Sequence, residues 1–394
     1  MADAVTVLIG GDVCPTAVDL HAFVEGRADV LFGDLLVDLL DADIAIMNLE
    51  CPLADTATPI PKRGPVFRAP TTAIGALRNA TIDILNLANN HILDQGGPGL
   101  SSTVATIEAA GIKTVGAGEN LCEAQRPLAL TAKGVPLKVL AVTEHEFSIA
   151  GRDSPGANPL DVMVLTEQLQ TARAHGEYVV VLLHGGNEHY PYPSPRLRRT
   201  CRYLVEQGAR AVICQHSHCV GYAEQHGGGH IVYGQGNFVF QKANSSEDWN
   251  RGVLVRLQID ARQGAALDLI PFQQSRDAAG VNRMVPDEAL RFLSTLGERS
   301  REAQQDEFIE QRWRAFCEGR RHEYLSRLRG HGRFLTRLNR SGLVSRLLYR
   351  RETILTLQNL IRCEAHREVV LTLLDRTHDR KIGRSMSAAS GEEV

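Results

Sequence analysis

No run of apolar residues in this 394-residue chain approaches the roughly 18–20 that a bilayer-spanning helix needs. The opening residues, Met1-Ala2-Asp3, lead straight into a strand-like segment with neither a basic stretch nor an apolar signal core, so a cytoplasmic location is expected. Paired CxxC motifs are missing too. The eight cysteines (Cys14, Cys51, Cys122, Cys201, Cys214, Cys219, Cys317 and Cys363) are scattered, and read as reduced packing thiols rather than as a disulfide or zinc framework. Nor does charge of one sign dominate. A net charge of −3 gives no global electrostatic case for nucleic-acid binding, and none is expected. No internal repeat is visible.

What is present is an ordinary globular composition, 43% hydrophobic and 23% charged, able to bury a large core. The length allows one large domain with an appendage, or two domains. Val5–Ile9 predicts a buried strand stopping at Gly10-Gly11-Asp12, Phe32–Leu40 a helix, and Asp43–Met47 a strand ending in Asn48-Leu49-Glu50. Prolines from Pro52 to Pro70 make residues 51–70 an irregular loop, of a length usually kept for a function. Thr71–Asn79 and Leu100–Ala110 read as helices, and Ile82–Leu87 as a strand running into Ala88-Asn89-Asn90-His91. Strands at Lys113–Val115, Leu128–Ala132 and Leu137–Thr143 precede a helix over Leu160–His175. Val179–Leu183 and Ala211–Cys214 are strands flanking a helix signalled by Ser194-Pro195, a cap followed by proline at the first helical position. Four more strands follow at Ile231–Tyr233, Phe238–Phe240, Val253–Ile259 and Leu267–Phe272. The fold class is therefore α/β, as a mixed sheet or as two stacked sheets with helices outside.

The character changes near Pro286. From there to about Arg380 the chain is helix-prone and uses Arg almost to the exclusion of Lys. Apolar faces come from Trp313 and Phe316 and from Tyr324 through Leu348, with breaks near Gly330-His331-Gly332 and Ser341-Gly342. Residues 286–380 are expected to form a helical C-terminal region, and 381–394 a disordered tail. Acidic residues largely offset the arginines, so a solvated face or a surface for a protein partner or second copy is expected there.

Chemistry gathers where apolar runs end. Asp12, Asn48 with Glu50, Asn90 with His91, His184, and His216 with His218 each follow a predicted strand. Ligands of open α/β sheets collect outside the carboxyl ends of the strands. Singly, each residue has a bland explanation. A strand-end Asp or Asn commonly caps the next helix, and His-x-His on a strand only puts two rings on one face. As an ordered series they point to a metal site. Carboxylate and imidazole donors together suit Mn, Fe or Zn. One carboxylate can bridge two ions, which then clamp the attacking and leaving oxygens of a displacement.

The series Gly11-Asp12-Val13, Asn48-Leu49-Glu50-Cys51-Pro52-Leu53, Ala88 through Gly96, His184-Gly185-Gly186-Asn187-Glu188, Gln215-His216-Ser217-His218 and Tyr233 through Phe240 resembles the capsule-synthesis CapA family. Its members are also called poly-γ-glutamate synthesis proteins, a branch of the calcineurin-like metallophosphoesterase superfamily. The resemblance covers residues 1–275, roughly from Val5 onward, and implies a metallophosphoesterase-like four-layer αββα sandwich, with the helical C-terminal region as an appendage. It implies two divalent metal ions (Mn, Fe or Zn). Asp12 and His218 would hold the first, Asn90, His184 and His216 the second, and Glu50 would bridge both. His91 would be the general acid, an imidazole titrating near neutrality, with Asp94 orienting it. The expected activity is hydrolysis of a phosphoester or amide bond in an anionic or phosphorylated small molecule or polymer, with a link to capsule or poly-γ-glutamate metabolism. The alternative is a non-hydrolytic accessory protein of anionic-polymer biosynthesis.

This chain departs from the pattern in places. Cys14 stands where the superfamily's first motif has a His two residues after its Asp, leaving the first metal a ligand short unless the thiolate serves. Gly185 stands where the family commonly has an aromatic residue. The membrane anchor of many relatives has no counterpart here. Outside the ligands, Asn48 could bond one of them or only shape its turn, and Asn237 reads as a turn residue. Glu144, His145, Glu188 and His189 could touch substrate or be ordinary loop polarity. Lys62, Arg63 and Arg68 could meet an anionic substrate or be solvated loop charges.

Overall fold

The computed structural model describes residues 4–62, 64–260, 264–276, 278–320, 350–370 and 372–373. Two β-sheets face each other. The first runs Val281–Arg283, Gly264–Gln274, Arg251–Asp260, Val5–Val13, Ile44–Leu49, Ile84–Asn86, Lys113–Val115, with Asn237–Val239 paired parallel to the end of Val5–Val13. The second runs Ala223–His226, Gly229–Val232, Ala211–Gln215, Tyr178–His184, Val135–Thr143, Leu128–Ala132.

Period-2 alternation sorts the side chains into layers. Val5, Val7, Ile9, Ile44 and Ile46 of the first sheet meet Val180, Leu182, Ala211 and Ile213 of the second in one apolar cluster between the sheets. Residues of the opposite parity, Leu8, Ala45, Met47 and Leu85, pack outward with Phe23, Leu77, Leu100 and Ile107. Val179, Val181, Leu183 and Val212 do the same on the far side with Leu165, Leu169, Cys201 and Leu204. The result is the expected four-layer αββα sandwich.

The central strands of both sheets are parallel, so their carboxyl ends open on one rim. There the inward parity turns polar. Asn48 follows Ile44 and Ile46, Asn86 follows Ile84, His184 follows Val180 and Leu182, and Gln215 follows Ala211 and Ile213. Gln215 knits the two sheets at this level, donating to the Gly10 carbonyl at 3.0 Å and accepting from Asn86 Nδ2 at 3.1 Å.

The expected helix over Phe32–Leu40 is two short helices, Ala28–Phe32 and Leu36–Asp41, hinged on a 3₁₀ turn. Gly33 breaks it, at φ +49 and with the Val281 carbonyl only 2.3 Å from where a Cβ would sit. Helix Pro195–Gln207 starts as expected, Ser194 Oγ accepting from the Leu197 N–H at 3.1 Å. Asp161, at the start of helix Val162–Ala174, caps it in the same way.

Beyond the sandwich, helix Pro286–Glu302 has proline and acids in its first turn and arginines in its last, matching its dipole. Helix Asp306–Gly319 packs Ile309 onto the outer core of the second sheet. Its Trp313 and Cys317 join Tyr190, Leu360, Val369 and Leu373 in a separate cluster with helix Arg351–Arg362 and the residues that follow it. Arg63, the apolar series from Tyr324 to Leu348 with its expected breaks, and the expected tail lie outside the described residues. Among the described residues no helix is long and apolar enough to cross a membrane.

Candidate metal centre

Every residue expected to hold metal reaches the rim between the sheets. Asp12 arrives where strand Val5–Val13 shifts register against its parallel neighbours. Glu50 follows strand Ile44–Leu49, Asn90 the strand ending at Asn86, and His184 ends its own strand. His216 and His218 do not share a strand face. Their strand ends at Gln215, and both adopt left-handed backbone, at φ +92 and +51. This turn sends the rings apart, and the strain is characteristic of a site held by its surroundings.

His184 is at the middle. Its Nε2 lies 3.0 Å from Asn90 Oδ1, 3.1 Å from His216 Nδ1 and 3.4 Å from Glu50 Oε1. Glu50, His184 and His216 place ligand atoms within 4.8 Å of one another, and so do Asp12, Glu50 and His218. Glu50 belongs to both groups. Both of its carboxylate oxygens are buried and have no hydrogen-bond partner among the described residues.

The electrostatics follow. Burial and the Asp12 charge push Glu50 well above the usual carboxylate range. Burial would raise Asp12 as well, but His218 and His184 hold it at about 2. Burial brings His184 and His216 down to about 4. At His218 burial is outweighed by Glu50 and Asp12, and the ring is pushed up to about 10. A cavity that buries two carboxylates, one of them without a hydrogen-bond partner, together with three imidazoles and an amide oxygen offers the donor set of a pair of borderline divalent ions.

Supporting contacts resolve the residues left open by the sequence. Asn48 Nδ2 donates to Asp12 Oδ1 at 2.7 Å and lies 3.3 Å from His184 Nδ1, while Asn48 Oδ1 accepts from Asn89. Asn237 is more than a turn residue, because its Oδ1 lies 2.8 Å from His218 Nδ1 and fixes that ring. Asp94 holds His91 Nδ1 at 2.7 Å. Lys62 is no solvated loop charge. It is buried, bonds Asp94 and the Asn90 carbonyl, and lies 3.2 Å from His91 Nδ1. Arg68 bonds the carbonyls of Ala54 and Asp55 instead.

One expectation needs correction. His91 does not titrate near neutrality, because burial and Lys62 hold it down to about 4. Cys14 faces Cys51 rather than a ligand group, and burial with that neighbour pushes its thiol well up. Glu144 turns away to the Gly186 N–H and Arg196, and His145 pairs with Glu364.

A cavity of about 270 Å³ opens on the centre past Lys62, Asn90, His91, Glu146, Glu188 and His189. Its far wall comes from the C-terminal helices, as Phe316, Arg320, Asn359 and His366. No sequence signal pointed to these last residues or to Glu146, since only long-range packing brings them there.

The model of the family described as bacterial capsule synthesis protein PGA_cap matches residues 6–242. The chain belongs to this family. The capsule biosynthesis protein CapA of Bacillus anthracis is 30% identical over 207 residues, 50% of this chain and 49% of that protein. A probable polyglutamine synthesis accessory protein of Mycobacterium tuberculosis is 28% identical over 210 residues, 50% and 55% respectively. The chain spans about half the length of the curated relatives it matches. Among solved structures, a 5'-nucleotidase precursor from Thermus thermophilus covers 76% of this chain and 59% of its own, at 13% identity and a TM-score of 0.40. The matched PGA_cap segment contains every ligand candidate and ends before the C-terminal helices.

Proposed function

We propose that this PGA_cap-family chain is a metal-dependent hydrolase acting on a phosphoester or amide bond of an anionic substrate linked to capsule or poly-γ-glutamate metabolism. Asp12, Glu50 and His218 would hold one ion, and Glu50, Asn90, His184 and His216 the other. The observation that carries this reading is Glu50, a carboxylate with both oxygens buried and without a hydrogen-bond partner among the described residues, at the junction of two ligand groups. Such a group is costly unless a cation meets it. With this reading go a division into residues 1–275 and 286–380 and a cytoplasmic location.

Two divalent ions, Mn, Fe or Zn by the donor set, supply Lewis acidity toward the scissile group and acidify water. The chain's own residues do the rest. Asn48 and Asn237 fix the His184 and His218 rings, so the ligands are oriented before substrate arrives. Asp94 fixes the His91 tautomer with the proton on Nδ1, which leaves Nε2 free to accept one. With the ring neutral at pH 7, His91 would take a proton at Nε2 from the attacking water and return it to the leaving group as its bond to the scissile centre breaks, Asp94 holding Nδ1–H throughout. Lys62, fixed beside it, and Arg320 across the cavity are the cationic groups on walls that also carry Glu146 and Glu188, and would meet the anionic part of a substrate. The enclosed volume suits a small molecule or a chain end.

The decisive experiment combines elemental analysis with a panel of phosphomonoesters, phosphodiesters and γ-glutamyl peptides, using wild type and Glu50→Gln. Metal-dependent turnover lost in the variant supports the hydrolase, and full activity after exhaustive chelation rejects it. Similarity to the Mycobacterium tuberculosis protein named as a probable polyglutamine synthesis accessory protein favours a second reading, a non-hydrolytic accessory role, which for this chain would be in anionic-polymer synthesis. Tight poly-γ-glutamate binding by metal-free protein, with no turnover on any substrate, would establish that one.

A further inference from the structure

We infer that Glu146, Cys363 and His366 form a third metal site, distinct from the Asp12–His218 centre, that takes a borderline divalent cation such as zinc. Each offers one ligand atom, and the three atoms lie within 4.8 Å of one another. Glu146 comes from the loop after strand Val135–Thr143. Cys363 and His366 come from the junction where helix Arg351–Arg362 ends and residues 364–370 continue, three apart and so on one side of the turn. One carboxylate, one thiol and one imidazole make a zinc-type donor set. The sulfur selects against Mg²⁺ and Ca²⁺, which demand oxygen.

A separate observation sets Cys363 apart. Cys14, Cys51, Cys201, Cys214 and Cys317 belong to apolar clusters, whereas the buried Cys219 and Cys363 belong to none of the apolar clusters of the described residues, and of these two only Cys363 lies in a group of close metal-type donors. It sits against an acid and an imidazole instead. The ligand-bearing segments are also fixed to each other, since the His145 N–H donates to Glu364 at 2.8 Å and the His145 ring pairs with the same carboxylate at 2.6 Å. Glu146 and His366 both face the cavity that opens on His91. Three protein ligands with an open fourth position toward a cavity is the arrangement of a reactive rather than a closed structural site. Glu146 Oε2 further accepts from Asn90 Nδ2 at 3.3 Å, which links this site to the second ion's ligand set. A cation here would fasten the C-terminal helices to the sandwich and present another Lewis acid to the substrate.

The test is metal stoichiometry and spectroscopy on the full-length protein, which needs no activity. After loading with Zn²⁺ and desalting, Cys363→Ser and His366→Asn should each retain one equivalent less than wild type. In the Co²⁺-loaded protein a thiolate-to-cobalt charge-transfer band should vanish in Cys363→Ser and persist in Cys14→Ser. Melting with and without chelator guards against misfolding: the variants should melt like chelated wild type and lack its metal-induced rise. Unchanged stoichiometry in both variants, or a band that survives Cys363→Ser, overturns the proposal and leaves an ion pair beside a packing thiol. Glu50→Gln separates the two readings, because it should strip metal from the Asp12–His218 centre and leave the charge-transfer band intact.

Discussion

Gly185 shows how one residue position depends on another far away in sequence. A Cβ there would lie 2.7 Å from Glu144 Cγ and 2.9 Å from its carboxyl carbon, so Glu144 fills the space an aromatic residue would take. That carboxylate cannot move aside easily, since it accepts from the Gly186 N–H at 2.9 Å and pairs with Arg196. Gly185→Ala should therefore destabilise the protein by ~1–3 kcal/mol, as overpacking does, read as a lower denaturation midpoint. If its stability matches wild type, Glu144 is not the constraint. The catalytic assignments belong to the same scale. His91→Ala should lower kcat about 10²–10⁴-fold with metal content unchanged, because His91 is in neither close ligand group. Asp94→Asn should lower it less and shift the pH–rate profile, since the imidazolium loses its countercharge. Metal loss in His91→Ala would instead make it a ligand. The ligand series was legible from sequence because each member follows an apolar run. The partners of Asn237 and Lys62 were not, since those hydrogen bonds cross 19 and 32 residues.

Strands and helices carry these groups by parity and by close approach. Strand Val5–Val13 meets Asn237–Val239 so tightly that a Cβ on Gly11 would fall 2.2 Å from the Gly236 carbonyl oxygen. Gly11→Ala must push two site-bearing segments apart, and should reduce both stability and metal retention. Retained metal at wild-type affinity would show that the segments can separate harmlessly. At the other side, the C-terminal helices lean on the loop after His184. Tyr190 stacks on Phe316 with ring centroids 4.2 Å apart and joins Trp313, Leu360 and Val369. Tyr190→Ala should cost ~3–5 kcal/mol of local packing, exposing residues 350–370 to limited proteolysis before the sandwich. Simultaneous cleavage everywhere would mean the helices and sandwich unfold as one unit. Most helix and strand types were readable from periodicity, but the short elements Leu20–Val24, Leu121–Ala124, Ala223–His226, Glu247–Asn250 and Val281–Arg283 were not, nor was the break within residues 28–41. There Gly33 sits against the Val281 carbonyl, which no local pattern discloses.

For the whole molecule, pH sets the balance between folded and unfolded chains. Burial holds His91, His184 and His216 at about 4, below the ~6.5 of an unfolded histidine. Between those values the unfolded chain binds protons that the folded one refuses, so their contribution to stability falls as pH drops from about 6.5 toward 4. His218, raised to about 10, works oppositely, its contribution complete below about 6.5 and lost as pH rises through 10. Glu50, raised well above the usual carboxylate range, and Asp19, raised to about 7, bind protons in the folded chain and oppose the three histidines between pH about 7 and 5. Metal affinity should fall over that interval as protons compete for the imidazole ligands, and an affinity that stays flat in a titration would mean these imidazoles are not ligands. The sequence by itself determined the α/β class, the central strands of both sheets, and which residues stand at their carboxyl ends. Those depend on short-range periodicity and on residue chemistry. Tertiary structure alone decided that the two halves of the ligand series face each other across two sheets, that Glu50 is left with both oxygens lacking a hydrogen-bond partner among the described residues, and that the C-terminal helices wall the cavity. Such contacts come from packing between segments hundreds of residues apart, where no local pattern reaches.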